Sequence, residues 1–201
     1  ERDKVFGVFE SDSWVIYDRC QIFGHSLFGF TTLRAYDVIP SSGNFTIYAI
    51  SGRREDPFNY TDDLHNERDK YLKSRNPNVN IVRLPREEQW VDFARLVFAP
   101  NLFIASAGSS WALWAVLANS GNIVTVPHLK IGMNHSVYPA NVHVLANATI
   151  LSPPHLRGES EEVKNKSIAE TLLLLGPQFK EASFLASRQG REIVLRCYRE
   201  C

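Results

Sequence analysis

The sequence carries no net charge: 22 lysines and arginines balance 22 aspartates and glutamates over 201 residues. It therefore lacks the broad positive field that draws a chain to DNA, RNA or an anionic membrane, and no nucleic-acid partner is expected. Long apolar runs are missing too. The longest, Trp111 to Ala118, is eight residues, far short of the ~20 that cross a bilayer, so no membrane span is expected and the run reads as a buried helix. Cysteine is scarce, with only Cys20, Cys197 and Cys201. An odd number leaves at least one thiol unpaired within the chain. Cys197 and Cys201 are too few and too near the end for a zinc module, and no metal is expected. A Cys20–Cys197 bridge would tie the tail to an early strand, but sequence does not fix that separation. There is no internal repeat and no low-complexity segment.

What is present fits a soluble globular domain: 44% hydrophobic and 22% charged residues, enough for one substantial core. We read residues 1–201 as a single domain. The chain opens on Glu1, which we read as a processed chain or a fragment, with any signal peptide, anchor or partner domain lying upstream. Five of its thirteen asparagines sit in N-x-[ST] sequons: Asn44, Asn59, Asn134, Asn147 and Asn165. That density points to glycosylation on a secretory route, to the Golgi lumen or outside the cell.

Apolar, β-rich runs predict strands at Val5–Phe9, Trp14–Tyr17, Phe45–Ile50, Asn80–Leu84, Leu102–Ser106 and Ile123–Val126, with a further one at Val142–Leu145. Helices are expected over Phe28–Tyr36, from Thr61 as N-cap to about Ser74, and over Glu88–Ala99, Trp111–Asn119 and Glu161–Leu175. The second of these reads as a polar surface helix. In the third, Trp90, Phe93, Ala94 and Val97 form the apolar face. Pro40 with the Ser41-Ser42-Gly43 turn, and Gly121, punctuate the pattern. Ser152–Gly158 reads as loop, and Ile193–Tyr198 as a last strand or a docked tail. Strand and helix alternate at short spacing, which predicts an α/β fold: an open, mainly parallel sheet with helices on both faces.

Two places can carry chemistry. Ser106-Ala-Gly-Ser-Ser110 joins a buried strand to a buried helix. It gathers hydroxyls and backbone N–H groups at a helix N-terminus, which suits a phosphate. The same residues also serve plain capping, with Ser109 or Ser110 satisfying the helix and Gly108 permitting the turn. The second place is Arg19, delivered at the carboxyl end of the strand Trp14–Tyr17 beside the loop Gly24–Gly29. A guanidinium there can clamp a diphosphate bidentately. It can equally be solvated or paired with Asp18 or Asp37.

Together these segments resemble a known family. Asp92-Phe-Ala-Arg-Leu-Val-Phe-Ala-Pro-Asn-Leu-Phe-Ile-Ala-Ser-Ala-Gly-Ser-Ser-Trp-Ala-Leu-Trp-Ala is similar to the late motif of α-1,2- and related fucosyltransferases. Val15-Ile-Tyr-Asp-Arg-Cys resembles the earlier strand of those families, which ends in H-x-R and then Asp. The resemblance spans residues 12–127; residues 128–201 would be an extension packed on that core. It implies the Rossmann-like, nucleotide-sugar-binding half of a GT-B-type glycosyltransferase, which binds a GDP-sugar without a metal and hands the sugar, fucose at first guess, to a glycan. By position it implies that Arg19 holds the diphosphate, that Ser109 and Ser110 contact phosphate, that Asp92 lies near the nucleotide and that Trp111 packs the turn. Two positions depart from the pattern. Tyr17 stands where the family has His, and Cys20, Gln21 and Ile22 fill the stretch that holds the Asp. His25 is then the nearest candidate for a base. The departures leave a second reading open, an inactive glycosyltransferase-like module that binds a glycan or another subunit of a secreted assembly.

Overall fold

A computed structural model describes residues 9–18, 29–51, 60–85, 88–107, 109–126, 138–146, 148, 150–151, 192, 195–196 and 198–199. The expected strand at 5–9 apart from Phe9, the loop at 152–158, the helix at 161–175 and all three cysteines lie outside the described residues. So do Arg19, His25 and the sequons at Asn59, Asn134, Asn147 and Asn165.

Nine strands and three α-helices are described. In chain order they are β1 (Trp14–Asp18), β2 (Gly29–Thr31), a 3-10 turn (Leu33–Val38), β3 (Thr46–Ser51), α1 (Tyr60–Arg75), β4 (Asn80–Arg83), α2 (Gln89–Val97), β5 (Asn101–Ile104), β6 (Ser106–Ala107), α3 (Ser110–Ala118), β7 (Asn122–Thr125), β8 (Val142–Val144) and β9 (Ile150–Leu151). Six of them form one sheet in the order β4-β3-β1-β5-β7-β8, and every pairing in it is parallel. The chain winds outward from β1 through β3 to β4, then returns to lay β5 on the other side of β1. That is a doubly wound sheet, and its strand order reverses between β1 and β5. The expected open α/β fold is the one observed.

Its two cores follow from strand alternation. Trp14 and Ile16 of β1 join one apolar cluster with Leu33, Tyr36, Leu64 and Phe103. Val15 and Tyr17 join the other, with Leu96, Leu102, Ala112 and Val116. All five residues of β1 are buried, as expected of a parallel strand covered on both faces. The 3-10 turn, α1, Leu195 and Tyr198 cover the first face; α2 and α3 cover the second. Of the Ile193–Tyr198 stretch, Leu195, Arg196 and Tyr198 are described: they are helical, not strand, and Tyr198 is fully buried.

Four expectations need correction. Phe28–Tyr36 is not one helix: Gly29–Thr31 pairs antiparallel with both β6 and β9, and only a 3-10 turn follows. The β-branched Thr31-Thr32 pair favours that extended start, and the sheet contacts fix it. Helix α1 is not a surface helix, since it buries Leu64, His65, Arg68 and Leu72; it also starts at Tyr60, which leaves Thr61 inside its first turn. Trp90 does not face inward: it is 54% exposed, because α2 turns Val91, Asp92, Arg95 and Leu96 to the core. In α3, Trp114 and Leu117 are exposed, so that apolar helix is buried on one side only.

Two glycines have distinct reasons. Gly43 adopts φ +105°, a left-handed conformation that side chains disfavour. Gly121 is needed for space. A Cβ there would stand 2.5 Å from the Pro100 carbonyl oxygen and 2.7 Å from that of Ala99. Asn119 closes the same corner, its amide donating to Leu96 O at 2.6 Å and to Ala99 O at 3.0 Å. Gly121→Ala is expected to cost about 2 kcal/mol or more, as overpacking against rigid backbone does. Urea unfolding reads this directly, and a variant as stable as the parent would mean that the corner yields freely.

Candidate functional site

Because the six strands are parallel, Asp18, Ser51, Arg83, Ile104, Thr125 and Val144 all lie at one end of the sheet. Ligands of doubly wound folds bind at that end, in the crevice where strand order reverses. Here the reversal is flanked by the ends of β1 and β5. After Ile104 the chain leaves the main sheet. Ser106–Ala107 form β6, which pairs with β2, and β2 pairs in turn with β9. Ser106 and Ala107, which begin the serine turn, thus belong to this three-stranded sheet.

The turn itself is well defined at Ser109. It is the N-cap of α3, its backbone extended at φ −79° and ψ 96°, and its Oγ accepts from the Ala112 N–H at 3.3 Å. Leu113 N–H donates to the Ser109 carbonyl at 3.0 Å. Capping is thus what the Ser109 oxygen does. Ser109 is itself buried, 2% exposed, so what the turn offers a ligand is its backbone: the first-turn amides of a helix have no acceptor within it. Ser110 opens the helix. Trp111 packs between Tyr17, 5.4 Å between ring centroids, and Phe93, at 5.7 Å. That contact fixes the turn against both β1 and α2, the packing role expected of it.

Asp92 lies in the first turn of α2, next to α3. It is 5% exposed, and its carboxylate takes the Arg95 guanidinium at 3.1 Å. The pair is internal to α2, so Asp92 comes with a cation already in place. Arg19 follows directly on Asp18 at the end of β1, the strand beside β5. Arg19 itself lies outside the described residues; what is described is that β1 and β5 are neighbours and end on the same side of the sheet.

Beneath this end lies a buried polar cluster that periodicity did not single out. Asp18, 1% exposed, accepts a hydrogen bond from the Tyr36 hydroxyl. Arg68, also 1% exposed, reaches Asp18 at 3.7 Å and Asp69 at 2.8 Å. Arg83 closes on Asp69 at 2.6 Å. Burial opposes the charge on Arg68, but Tyr36, Asp69 and Asp18 outweigh it and hold the guanidinium above its ordinary pKa. His65, one turn earlier, is pushed the other way, down to about 4. Burial is the main cause and the Arg68 cation the second. A legible signal existed: Leu64, Arg68 and Leu72 recur at a spacing of four, which puts an arginine inside an apolar stripe. Among the described residues, no group of three or more His, Cys, Asp or Glu side chains could hold a metal. No described helix is long and apolar enough to cross a membrane.

The fold and site define a class: a doubly wound α/β domain with a serine-capped helix N-terminus at its switch point. No family model, no curated protein and no solved structure matches the chain.

Proposed function

We propose that this chain is the donor-binding half of a glycosyltransferase that takes a nucleotide diphosphate sugar, GDP-fucose at first guess, and glycosylates a glycan hydroxyl. The observation that carries the reading is the Ser109-capped N-terminus of α3, set just beyond β5 where strand order reverses. First-turn amides and the positive end of the helix dipole suit a diphosphate there. Arg19 adds a bidentate cation. As the acceptor oxygen attacks the anomeric carbon, the bond from that carbon to the diphosphate oxygen breaks, and negative charge grows on the leaving group. Arg19 and the serine turn stabilise that charge in place of a metal. The acceptor proton passes to a base, for which His25 is the candidate.

Calorimetric titration with GDP, UDP and their sugars tests this. GDP is expected to bind the parent protein. Ser109→Ala is expected to weaken it several-fold, because the amides remain. Arg19→Ala removes a charge-assisted pair worth roughly 2–5 kcal/mol when buried, and is expected to weaken it about 30-fold or more. Absence of nucleotide binding in the parent sinks the donor-site reading.

One observation favours the second reading, an inactive module. Tyr17, at the position of the motif's His, is 3% exposed and in tilted contact with Trp111, a weak base in a packed place. An inactive module keeps the fold and turns over no donor.

A secretory location, Golgi or extracellular, belongs to the same proposal. Asn44, the one sequon asparagine among the described residues, is exposed in the turn before β3. Glycopeptide mass spectrometry of protein from its natural source is expected to find glycans at Asn44 and at one or more of Asn59, Asn134, Asn147 and Asn165. Five bare asparagines would overturn the location.

A further inference from the structure

A concavity is lined by residues of the 3-10 turn and of the end of β8. Thr32, directly after β2, lines it together with that turn, and His143 to Ala146 and Ala148 line it from β8 onward. It encloses about 660 Å³, a size common for small-molecule sites. Its floor is aliphatic, with Val38, Leu145 and Ala148, and its polar groups are Arg34, Asp37 and His143.

The charges on that rim are unequal. Asp37 is committed: the Tyr71 hydroxyl donates to it at 2.5 Å, and Arg75 pairs with it at 3.3 Å. Arg34 is exposed and makes no hydrogen bond or ion pair within the described residues. With Asp37 matched by Arg75, Arg34 leaves the rim one positive charge in excess. Among its described lining residues the one ring is the His143 imidazole, with no Phe, Tyr or Trp, so it offers a nucleobase little to stack on. It offers aliphatic surface for the C–H face of a sugar ring, and a guanidinium for a carboxylate.

We propose that this concavity binds an acidic saccharide, one that carries a uronate carboxylate, with Arg34 as its charge-recognising residue. The inference rests on the glycosyltransferase-like reading in one respect: it supplies the class of acceptor for the same end of the sheet. Arg34 sits on the exposed side of a 3-10 turn whose buried residues are Leu33, Ala35 and Tyr36, so its replacement leaves the core intact.

The test is calorimetric titration of the full chain with methyl β-glucuronide, methyl β-glucoside and acetate. The glucuronide is expected to bind at least tenfold more tightly than either of the others. Arg34→Ala is expected to bring it down to the level of the glucoside, with thermal unfolding unchanged, and Arg34→Lys to restore part of the gain. Acetate binding as tightly as the glucuronide would reduce the site to a plain anion site and overturn the proposal. Equal binding of glucoside, no saccharide binding, or indifference to Arg34→Ala overturns it as well. GDP titrated into the same samples separates the two readings. Intact GDP binding without glucuronide binding removes this inference alone. Glucuronide binding without GDP binding removes the donor site and leaves a glycan-binding module.

Discussion

Replacing Arg68 with alanine is expected to destabilise the protein by about 3–5 kcal/mol, the loss seen when one member of a buried ion pair is removed. Arg68 heads the largest fully buried side chains, and it stands between two carboxylates, Asp18 and Asp69. Without it, Asp18 keeps the Tyr36 hydroxyl but no cation among these partners. A domain whose total stability is about 5–15 kcal/mol cannot absorb that lightly. Part of the effect is lost volume, so Arg68→Met is the sharper probe: it fills much of the space and removes only the charge. If the cost is electrostatic, Arg68→Met is still expected to be strongly destabilising. Adding Asp18→Asn should then recover a good part, since the carboxylate that needed the cation is gone. Urea unfolding of the two single variants and the double gives the coupling directly. A double variant no better than the sum of the singles would show that Asp18 and Arg68 do not depend on each other. Asp18 also ends β1, one residue before Arg19. Loosening it is therefore expected to weaken GDP binding in variants that remain folded.

The contrast between Arg68 and Ser109 shows what the sequence could and could not convey. Ser109 was legible because its role is local. A small hydroxyl residue between an apolar strand and an apolar helix is an N-cap by short-range chemistry, wherever the rest of the chain goes. The parallel sheet was legible for a related reason. Val-, Ile- and Phe-rich runs separated by helical segments are what strands buried on both faces require. Gly29–Thr31 was not legible, because three residues become a strand only through pairing with Ser106–Ala107 and Ile150–Leu151, distant in sequence. Trp90 misled because an indole at the start of an amphipathic helix reads as an anchor, whereas the sheet takes Val91 and Leu96 and leaves Trp90 outside. Arg68 and His65 depressed the apolar signal of α1, so the helix read as solvated. Their partners Asp18 and Tyr36 lie far back in the chain, and burying a guanidinium makes sense only once those partners are in view. The acidic-saccharide concavity has the same character. Arg34 and His143 are unremarkable singly, and only a fold that brings β8 to the 3-10 turn sets them in one concavity.

His65 makes the same cluster sensitive to acid, and the sign follows from its pKa. In the unfolded chain the imidazole takes a proton below about 6.5. In the fold it does so only near pH 4, because burial first and the Arg68 cation second disfavour the charged form. Its Nε2 is buried without a hydrogen-bond partner among the described residues, and the Asp18 and Asp69 carboxylates, which favour the charged form, do not offset burial and Arg68. Between pH 6.5 and 4 the unfolded state therefore binds more protons than the folded one, and stability falls as pH falls through that window. Above 6.5 both states are neutral at this residue and its contribution is flat. The gap corresponds to about 3 kcal/mol lost by pH 4. Other groups also take up protons at the acid end, so the parent alone does not isolate the histidine. His65→Leu does. It cannot titrate, and at pH 7 it exchanges an unpartnered buried nitrogen for apolar volume at little cost. Urea midpoints at pH 7, 6, 5 and 4 are expected to show the variant gaining on the parent steadily, by about 3 kcal/mol across the series. Two parallel curves would mean that His65 titrates in the fold as it does in the open chain, and that protons reach the interior beside Arg68 without cost.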